Sequence, residues 1–244
     1  MEEVPKAPLG VTVVALPYVS KSGFFGATVQ SLVTAILSRG LQMCKFLFLG
    51  DHTQVHARNM ACKDAVEIGA EWLFFIDSDM DFPPDTLNRL KALDADIACT
   101  DMWSRGWPSF RTVMRFGPPD PATGLKPSVP LPDDATGVHD IDCCGMACTL
   151  IKVSMLRRWQ EMHPDEPWFW TGKHGEDAMF CFAMKEHLGA TIRADLDIVA
   201  GHWGVTRMIG QDYTRDAKNQ PMSVSDAEML RRNGVKNLPV KETV

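Results

Sequence analysis

Residues 71–87 read EWLFFIDSDMDFPPDTL, and this stretch decides both the fold and where a site is expected. Four apolar residues at 73–76 run directly into Asp77, Asp79 and Asp81, which fall within five positions. A buried strand ordinarily ends in a turn, and carboxylates this close repel one another. A bound cation would hold them together, and such a cation would need further partners elsewhere in the chain.

The regions on either side of this stretch alternate between strand-like and helix-like patterns. Strands are predicted at 10–18, 44–50, 72–77 and 95–103, and helices are predicted at 24–40, 55–70 and 83–93. This alternation, with short connections, is typical of parallel βαβ units in an α/β fold with helices on both faces of the sheet. Ligands of such folds bind beyond the carboxyl ends of the strands, which is where Asp77 and Asp79 lie.

The second half of the chain has a less regular sequence pattern. Residues 104–138 are rich in Pro and Gly and are predicted to form a long loop or an irregular hairpin. A strand-like run at 138–153 is interrupted by Gly145, and two helices and a last strand at 191–203 follow. We expect one domain over 1–204, with halves at about 10–103 and 138–204, and a tail at 205–244 that either covers the site or is partly disordered.

Composition limits the classes of function. The 244 residues carry a net charge of −6, which argues against wholesale coating of nucleic acid. Local basic groups remain at Arg105, Arg111 and Arg115, and again at 231–236. No apolar run is long enough to cross a bilayer, and the start of the chain is unlike a signal peptide, so a cytoplasmic location is predicted. Seven cysteines, an odd number, fit a reducing compartment.

The aspartates at the end of the third strand have two interpretations. Alternate residues of an extended segment point the same way, so Asp77 and Asp79 can converge on one Mg²⁺ or Mn²⁺ ion, which prefers oxygen ligands. The alternative is that Asp79, Asp81 or Asp85 caps the helix that begins near Pro83. We favour the metal because capping explains Asp77 and Asp79 poorly.

Several segments, in order, resemble glycosyltransferases of the GT-A fold. They are the D-S-D at 77–79 after a hydrophobic strand, LPY at 16–18, ARN at 57–59, CCGMACTLIK at 143–152, GED at 175–177 and GHWG at 201–204. The last resembles the late histidine of mannosylglycerate-synthase-like enzymes, and GED resembles the acidic motif of family-two enzymes of bacterial or phage type. The resemblance covers residues 10–205 and implies a Rossmann-like GT-A fold with a mostly parallel central sheet.

The resemblance also implies roles for individual residues. Asp79 and His202, with Asp77, would hold Mn²⁺ or Mg²⁺ against the phosphates of a UDP- or GDP-sugar donor. Asp177 would be the general base toward the acceptor hydroxyl, and Glu176 would bind the acceptor. The donor contacts would come from a further set: Pro17, Arg58, Asn59, Asp64, Asp77 and Gly145.

Other interpretations stay open at this point. His202 can be a hydrogen-bonded structural residue, and Glu176 or Asp177 can simply complement the helix dipole. The acceptor can be a saccharide, another small molecule or a hydroxymethylated base of phage DNA, and the stereochemical outcome is undetermined. A sugar platform is expected among the tryptophans near the site, foremost Trp168 or Trp170. The rival functions are nucleotidylyl transfer and a non-catalytic carbohydrate- or nucleic-acid-binding module.

Overall fold

The computed structural model describes residues 10–18, 24, 26–38, 40–41, 44–104, 109–119, 121–122, 126–172, 175–203 and, for the backbone, 207–208. The described helices are α1 Gly26–Leu37, α2 Gln54–Glu67, α3 Thr86–Ala92, α4 Val153–Met162 and α5 Gly175–Leu188. The strands are β1 Thr12–Tyr18, β2 Cys44–Gly50, β3 Trp72–Ile76, β4 Met80–Asp81, β5 Ile97–Asp101, β6 Val113–Phe116, β7 Ser128–Pro130, β8 Val138–Asp140, β9 Cys143–Cys144, β10 Cys148–Lys152, β11 Ile192–Val199, β12 Gly201–Trp203 and β13 Arg207–Met208.

A central sheet of seven strands has the order β2-β1-β3-β10-β5-β11-β8. Strands β1, β2, β3, β5 and β11 run in one direction, whereas β10 and β8 run in the other. The prediction of a mixed α/β fold around a mostly parallel sheet is therefore confirmed. Strand β3 lies inside this sheet and all five of its side chains are buried, which explains its unbroken apolar run.

The strand-like run at 138–153 is divided among three places. Strand β8 pairs with β11 at the sheet edge, β9 pairs with β6, and β10 lies antiparallel between β3 and β5. Gly145 stands at the break, where a Cβ atom would lie 3.1 Å from Thr112 Oγ1. Glycine therefore allows the backbone to approach Thr112 closely where the chain leaves one sheet and enters another.

The predicted loop or hairpin at 104–138 contains an antiparallel hairpin of β6 and β7, to which β9 adds a third strand. One hydrophobic cluster extends from β1 to β11 and includes residues of all five described helices. The predicted division into one domain over 1–204 and a tail stays a prediction. No helix within the described ranges is long and apolar enough to cross a membrane. The predicted tail lies outside the described residues, apart from the backbone of 207–208.

Candidate functional site

A buried arginine stands at the centre of the first group of predicted residues. Arg58, near the start of α2, is 1% exposed. Its Nη1 donates to Glu176 Oε1 at 2.8 Å and also to Asp177 Oδ1, and its Nη2 lies 3.8 Å from Asp77 Oδ2. One guanidinium group thus binds two acidic residues that lie 118 and 119 positions further along the chain. The fold assembles three of the predicted carboxylates around an internal cation, which the sequence interpretation did not anticipate.

A second group forms around Asp79. Strand β12 pairs antiparallel with β4, with His202 opposite Met80, and so reaches the turn that carries Asp79. His202 Nε2 lies 3.5 Å from Asp79 Oδ2, and the Trp203 amide donates to the Asp79 carbonyl at 2.7 Å. The predicted proximity of Asp79 and His202 is therefore present in the structure.

The geometric argument for Asp77 and Asp79 was wrong in one respect. Strand β3 ends at Ile76, and residues 77–80 form a turn that is closed by a hydrogen bond from the Met80 amide to the Asp77 carbonyl at 3.2 Å. The segment is not extended, so the rule of alternating side chains does not apply to it. Asp77 faces Arg58, whereas Asp79 faces His202.

The capping interpretation does not describe these aspartates either. Helix α3 begins at Thr86, and the side chain of the preceding Asp85 makes no capping hydrogen bond. Asp81 accepts from the Gly201 amide at 2.8 Å and from Trp203 Nε1 at 3.0 Å. Asp81 therefore fastens β12 to the turn rather than capping a helix.

The predicted three-residue metal shell of Asp77, Asp79 and His202 is not assembled as one cluster. Within the part of the chain that the structure describes, no group of three or more His, Cys, Asp or Glu residues is arranged to hold a metal ion. The pair of Asp79 and His202 nevertheless has suitable donor atoms. His202 Nδ1 lies 3.0 Å from the Trp103 carbonyl, to which it donates, and this contact orients the ring with Nε2 toward Asp79.

Asp177 and Glu176 occupy the first turn of α5, directly after Gly175. The Asp177 side chain is 29% exposed, and its Oδ2 accepts from the Met146 amide at 3.1 Å. Burial raises the pKa of Asp177 to about 6, against the lowering effect of Arg58, and the charges of Glu176 and Asp77 raise it further. A carboxylate that is partly exposed and titrates near neutrality is suited to accept a proton.

Two of the residues predicted to contact the donor, Arg58 and Asn59, are engaged by the protein itself. The predicted contact between Arg58 and a diphosphate does not fit the structure, because its guanidinium is enclosed and already engaged by carboxylates. Asn59 serves the backbone instead: its Nδ2 donates to the carbonyls of Val55 and Phe169, and its Oδ1 accepts from the amides of Trp168 and Phe169. We withdraw both assignments because these side chains are occupied by the protein itself.

The other donor-contact residues lie in separate places. Gly145 is next to Asp177, because a Cβ atom at this position would lie 3.8 Å from Asp177 Oδ2. Pro17 is buried near the carboxyl end of β1, opposite Leu49 of β2. Asp64 lies six residues beyond Arg58, about 9 Å further along α2. Their contacts with a nucleotide stay predictions.

Two assignments from the sequence are corrected by burial. Trp168 is a core residue whose Nε1 donates to the Leu156 carbonyl at 2.9 Å, so it is not a sugar platform. Arg111 is 0% exposed and cannot belong to a basic surface patch for DNA. Arg115 is exposed, whereas Arg105 and the basic residues at 231–236 lie outside the described part of the chain.

The sequence interpretation missed the residues that hold the aspartate turn in place. Thr28 Oγ1 of α1 donates to the Ser78 carbonyl at 2.9 Å, and Ser31 Oγ accepts from the Phe82 amide at 3.2 Å. The Trp103 carbonyl orients His202. Two hydroxyl residues three positions apart on one helix face are a weak signal, and a backbone carbonyl leaves none in the sequence.

Comparisons with known proteins identify the fold and nothing finer. No protein-family model matches the chain, and no curated protein matches it either. Among the solved structures that match is the crystal structure of A197 from STIV, with a TM-score of 0.57 and 16% sequence identity. The match covers 80% of this chain and 86% of A197. The shared architecture thus extends over most of both chains.

Proposed function

We propose that this protein is a metal-dependent glycosyltransferase of the GT-A type, which moves a sugar from a nucleoside-diphosphate sugar to an acceptor hydroxyl. The observation that carries the proposal is the 3.5 Å separation of His202 Nε2 and Asp79 Oδ2, beyond the carboxyl end of β3. An α/β sheet binds its ligand at that end. The Asp177 carboxylate, held with Asp77 by Arg58, supplies a proton acceptor linked to the same turn.

The donor atoms of the pair fit a divalent ion. Adjacent ligands of an octahedral Mg²⁺ ion, bound at about 2.1 Å, lie about 3 Å apart, and the two atoms here are separated by a similar distance. Two protein ligands leave positions for water and phosphate oxygens, as is usual for Mg²⁺ in nucleotide sites. Such an ion would act as a Lewis acid that stabilises the charge of the departing diphosphate.

Asp177 would take the proton of the acceptor. As the acceptor oxygen forms its bond to the anomeric carbon, its proton passes to the Asp177 carboxylate, and the electron pair of the broken bond leaves with the diphosphate. The pKa of about 6 keeps this carboxylate mostly ionised at neutral pH and still basic enough to bind the proton. Arg58 keeps the carboxylate in position, and the Met146 amide orients its second oxygen.

The test is isothermal titration of the protein with UDP-sugars and GDP-sugars in Mn²⁺. We expect one donor to bind, the binding to disappear in EDTA, and Asp79→Asn to weaken it by about 100-fold or more, because even indirect partners of a metal contribute 10–100-fold. Asp85→Asn is the matched control. It removes the same charge six residues away, from an exposed side chain that makes no capping hydrogen bond. Donor binding that persists in EDTA, or that Asp85→Asn weakens equally, would contradict the proposal.

A further inference from the structure

A groove of about 390 Å³ lies beside α1 and reaches Asp81, two residues after Asp79. Its lining includes Ala27, Gln30 and Thr34 of α1 together with Asp81 and Trp203. The volume lies in the range of small-molecule sites, near its lower end. Neither the carboxylate group around Arg58 nor the pair of Asp79 and His202 contributes to the lining.

The chemistry of the lining selects one class of ligand. The described residues that line the groove include no Lys or Arg, and they do include the Asp81 carboxylate, so a phosphorylated or carboxylated ligand is disfavoured. Exposed amide and hydroxyl groups come from Gln30 and Thr34. A neutral ligand rich in hydroxyl groups would find hydrogen-bonding partners here without a charge to compensate.

The indole of Trp203 adds an apolar surface of fixed orientation. Its Nε1 donates to Asp81 Oδ2 at 3.0 Å, and its amide donates to the Asp79 carbonyl at 2.7 Å. Both ends of the residue are therefore held, and the ring is partly exposed on the groove. An aromatic ring held in this way can pack against the C–H face of a sugar while polar groups of the lining contact its hydroxyls.

We propose that this groove binds an uncharged saccharide of about one or two sugar rings. The groove is connected to the aspartate turn, because Ser31, which also lines it, accepts from the Phe82 amide, and Thr28 donates to the Ser78 carbonyl. If the chain transfers sugars, the acceptor is then a saccharide that extends into this groove. Saccharide binding itself does not depend on the proposed transfer, so the two can be tested separately.

The experiment measures the binding of maltose, cellobiose and lactose by saturation-transfer NMR and by titration. EDTA is present throughout, so that a metal-dependent donor site does not take part. Ala27→Trp places an indole in the groove, whereas Val29→Trp places the same side chain roughly 200° around α1, on its exposed face. We expect at least one disaccharide to bind the wild type, Ala27→Trp to weaken it by at least tenfold, and Val29→Trp to leave it unchanged. Gln30→Ala, at an exposed helical position, is expected to weaken it several-fold and serves as a second variant.

The outcomes separate the two proposals. Asp79→Asn should retain saccharide binding even though it loses Mn²⁺-dependent donor binding. Glucose 6-phosphate should bind more weakly than glucose, because Asp81 repels the phosphate. The inference is overturned if none of the three disaccharides transfers saturation to the wild type, or if Ala27→Trp and Val29→Trp have equal effects.

Discussion

Arg58 and Arg111 are both enclosed by the protein, at 1% and 0% exposure, but the groups around them differ. Among the described residues Arg58 faces three carboxylates, so one guanidinium charge is shared by three acidic groups. Arg111 faces one: its Nε donates to Asp101 Oδ1 at 2.8 Å, and its other nitrogens donate to Asp101 Oδ2 and to the carbonyls of Pro132, Asp133 and Ala135.

The environment of Arg111 is closed and balanced. Asp101 is 6% exposed, Trp103 Nε1 also donates to it, and the Arg111 guanidinium lies over the Trp103 ring at 5.2 Å. The group fastens the segment at 132–135 to β5. Around Arg58, by contrast, Glu176 and Asp177 are 21% and 29% exposed, and the buried Arg58 Nε finds no hydrogen-bond partner among the described residues.

The difference is between a buried ion pair that is balanced and an arginine that is shared by several carboxylates. A buried ion pair whose charges cancel and whose hydrogen bonds are made stabilises one conformation and has no reactive group left. A cluster with an excess of carboxylates keeps one of them near its titration point, as the raised pKa of Asp177 indicates. Three experiments test this contrast.

The largest effect is expected from Arg111→Met. It leaves Asp101 buried without a cation and removes the donor from three backbone carbonyls, so the free energy of unfolding should fall by about 3–5 kcal/mol in urea denaturation. The double variant Arg111→Met/Asp101→Leu should recover much of this loss, because no buried charge is left behind. Arg115→Met, an exposed position near β6's end, is the control and should change stability by less than about 0.5 kcal/mol. If Arg111→Met were as stable as the double variant, the structural role of the Arg111–Asp101 pair would be contradicted.

The second experiment compares Asp177→Asn with Asp101→Asn. The folded-state pKa of Asp177, about 6, exceeds its ordinary value of 3.8, so the folded protein binds this proton more tightly than the unfolded chain does. The ionised Asp177 therefore destabilises the wild type progressively as the pH rises from 3.8 to about 6. Asp177→Asn should increase the free energy of unfolding by about 1–3 kcal/mol at pH 7–8, and this gain should vanish as the pH falls toward 4.

Asp101→Asn should lower the stability at pH 7, although burial raises the pKa of Asp101 as well. The reason is the arginine that is left behind: among the described residues Arg111 bonds no acidic side chain other than Asp101, whereas Arg58 keeps Asp77 and Glu176 when Asp177 is replaced. Removal of the Asp101 carboxylate leaves a buried cation, and we expect a loss of about 3–5 kcal/mol. Thermal unfolding of both variants from pH 4 to pH 8 measures the contrast. Equal destabilisation by the two substitutions would mean that Asp177 is as structural as Asp101.

The smallest effect is a chemical shift that reports the titration of Asp177 without any substrate. The Met146 amide donates to Asp177 Oδ2, so its ¹H and ¹⁵N shifts in an NMR titration should follow protonation with a midpoint of about 6. Asp177→Asn should abolish this transition. The Trp103 indole N–H, which donates to Asp101 Oδ2, reports the other cluster, and its own titration should be unchanged by Asp177→Asn. A midpoint of the Met146 shifts near 3.8, the ordinary pKa of an aspartate, would contradict the raised pKa of Asp177.

The elements were largely predictable from the sequence, whereas their arrangement was not. The apolar run before Asp77 and the periodic segments around it predicted the strands and helices of the first half to within a few residues. Nothing in residues 148–152 indicates that β10 runs against its neighbours, because a fully buried strand has the same composition in either direction. The separation of β9 from β10 at Gly145 depends on Thr112, which only the folded chain brings close.

The candidate site divides in the same way. The sequence alone supplied the candidate residues: a D-S-D after a buried strand, acidic residues at the start of a helix, and the late histidine of GHWG. Only the tertiary structure decided which side chains contact one another. Asp77 faces Arg58, a buried counterion, and Asp79 faces His202. The Asn59 side chain hydrogen-bonds to the backbone. The reason is physical: residue type determines what a side chain can donate, accept or titrate, but its charge state and partners depend on burial and on groups more than a hundred positions away.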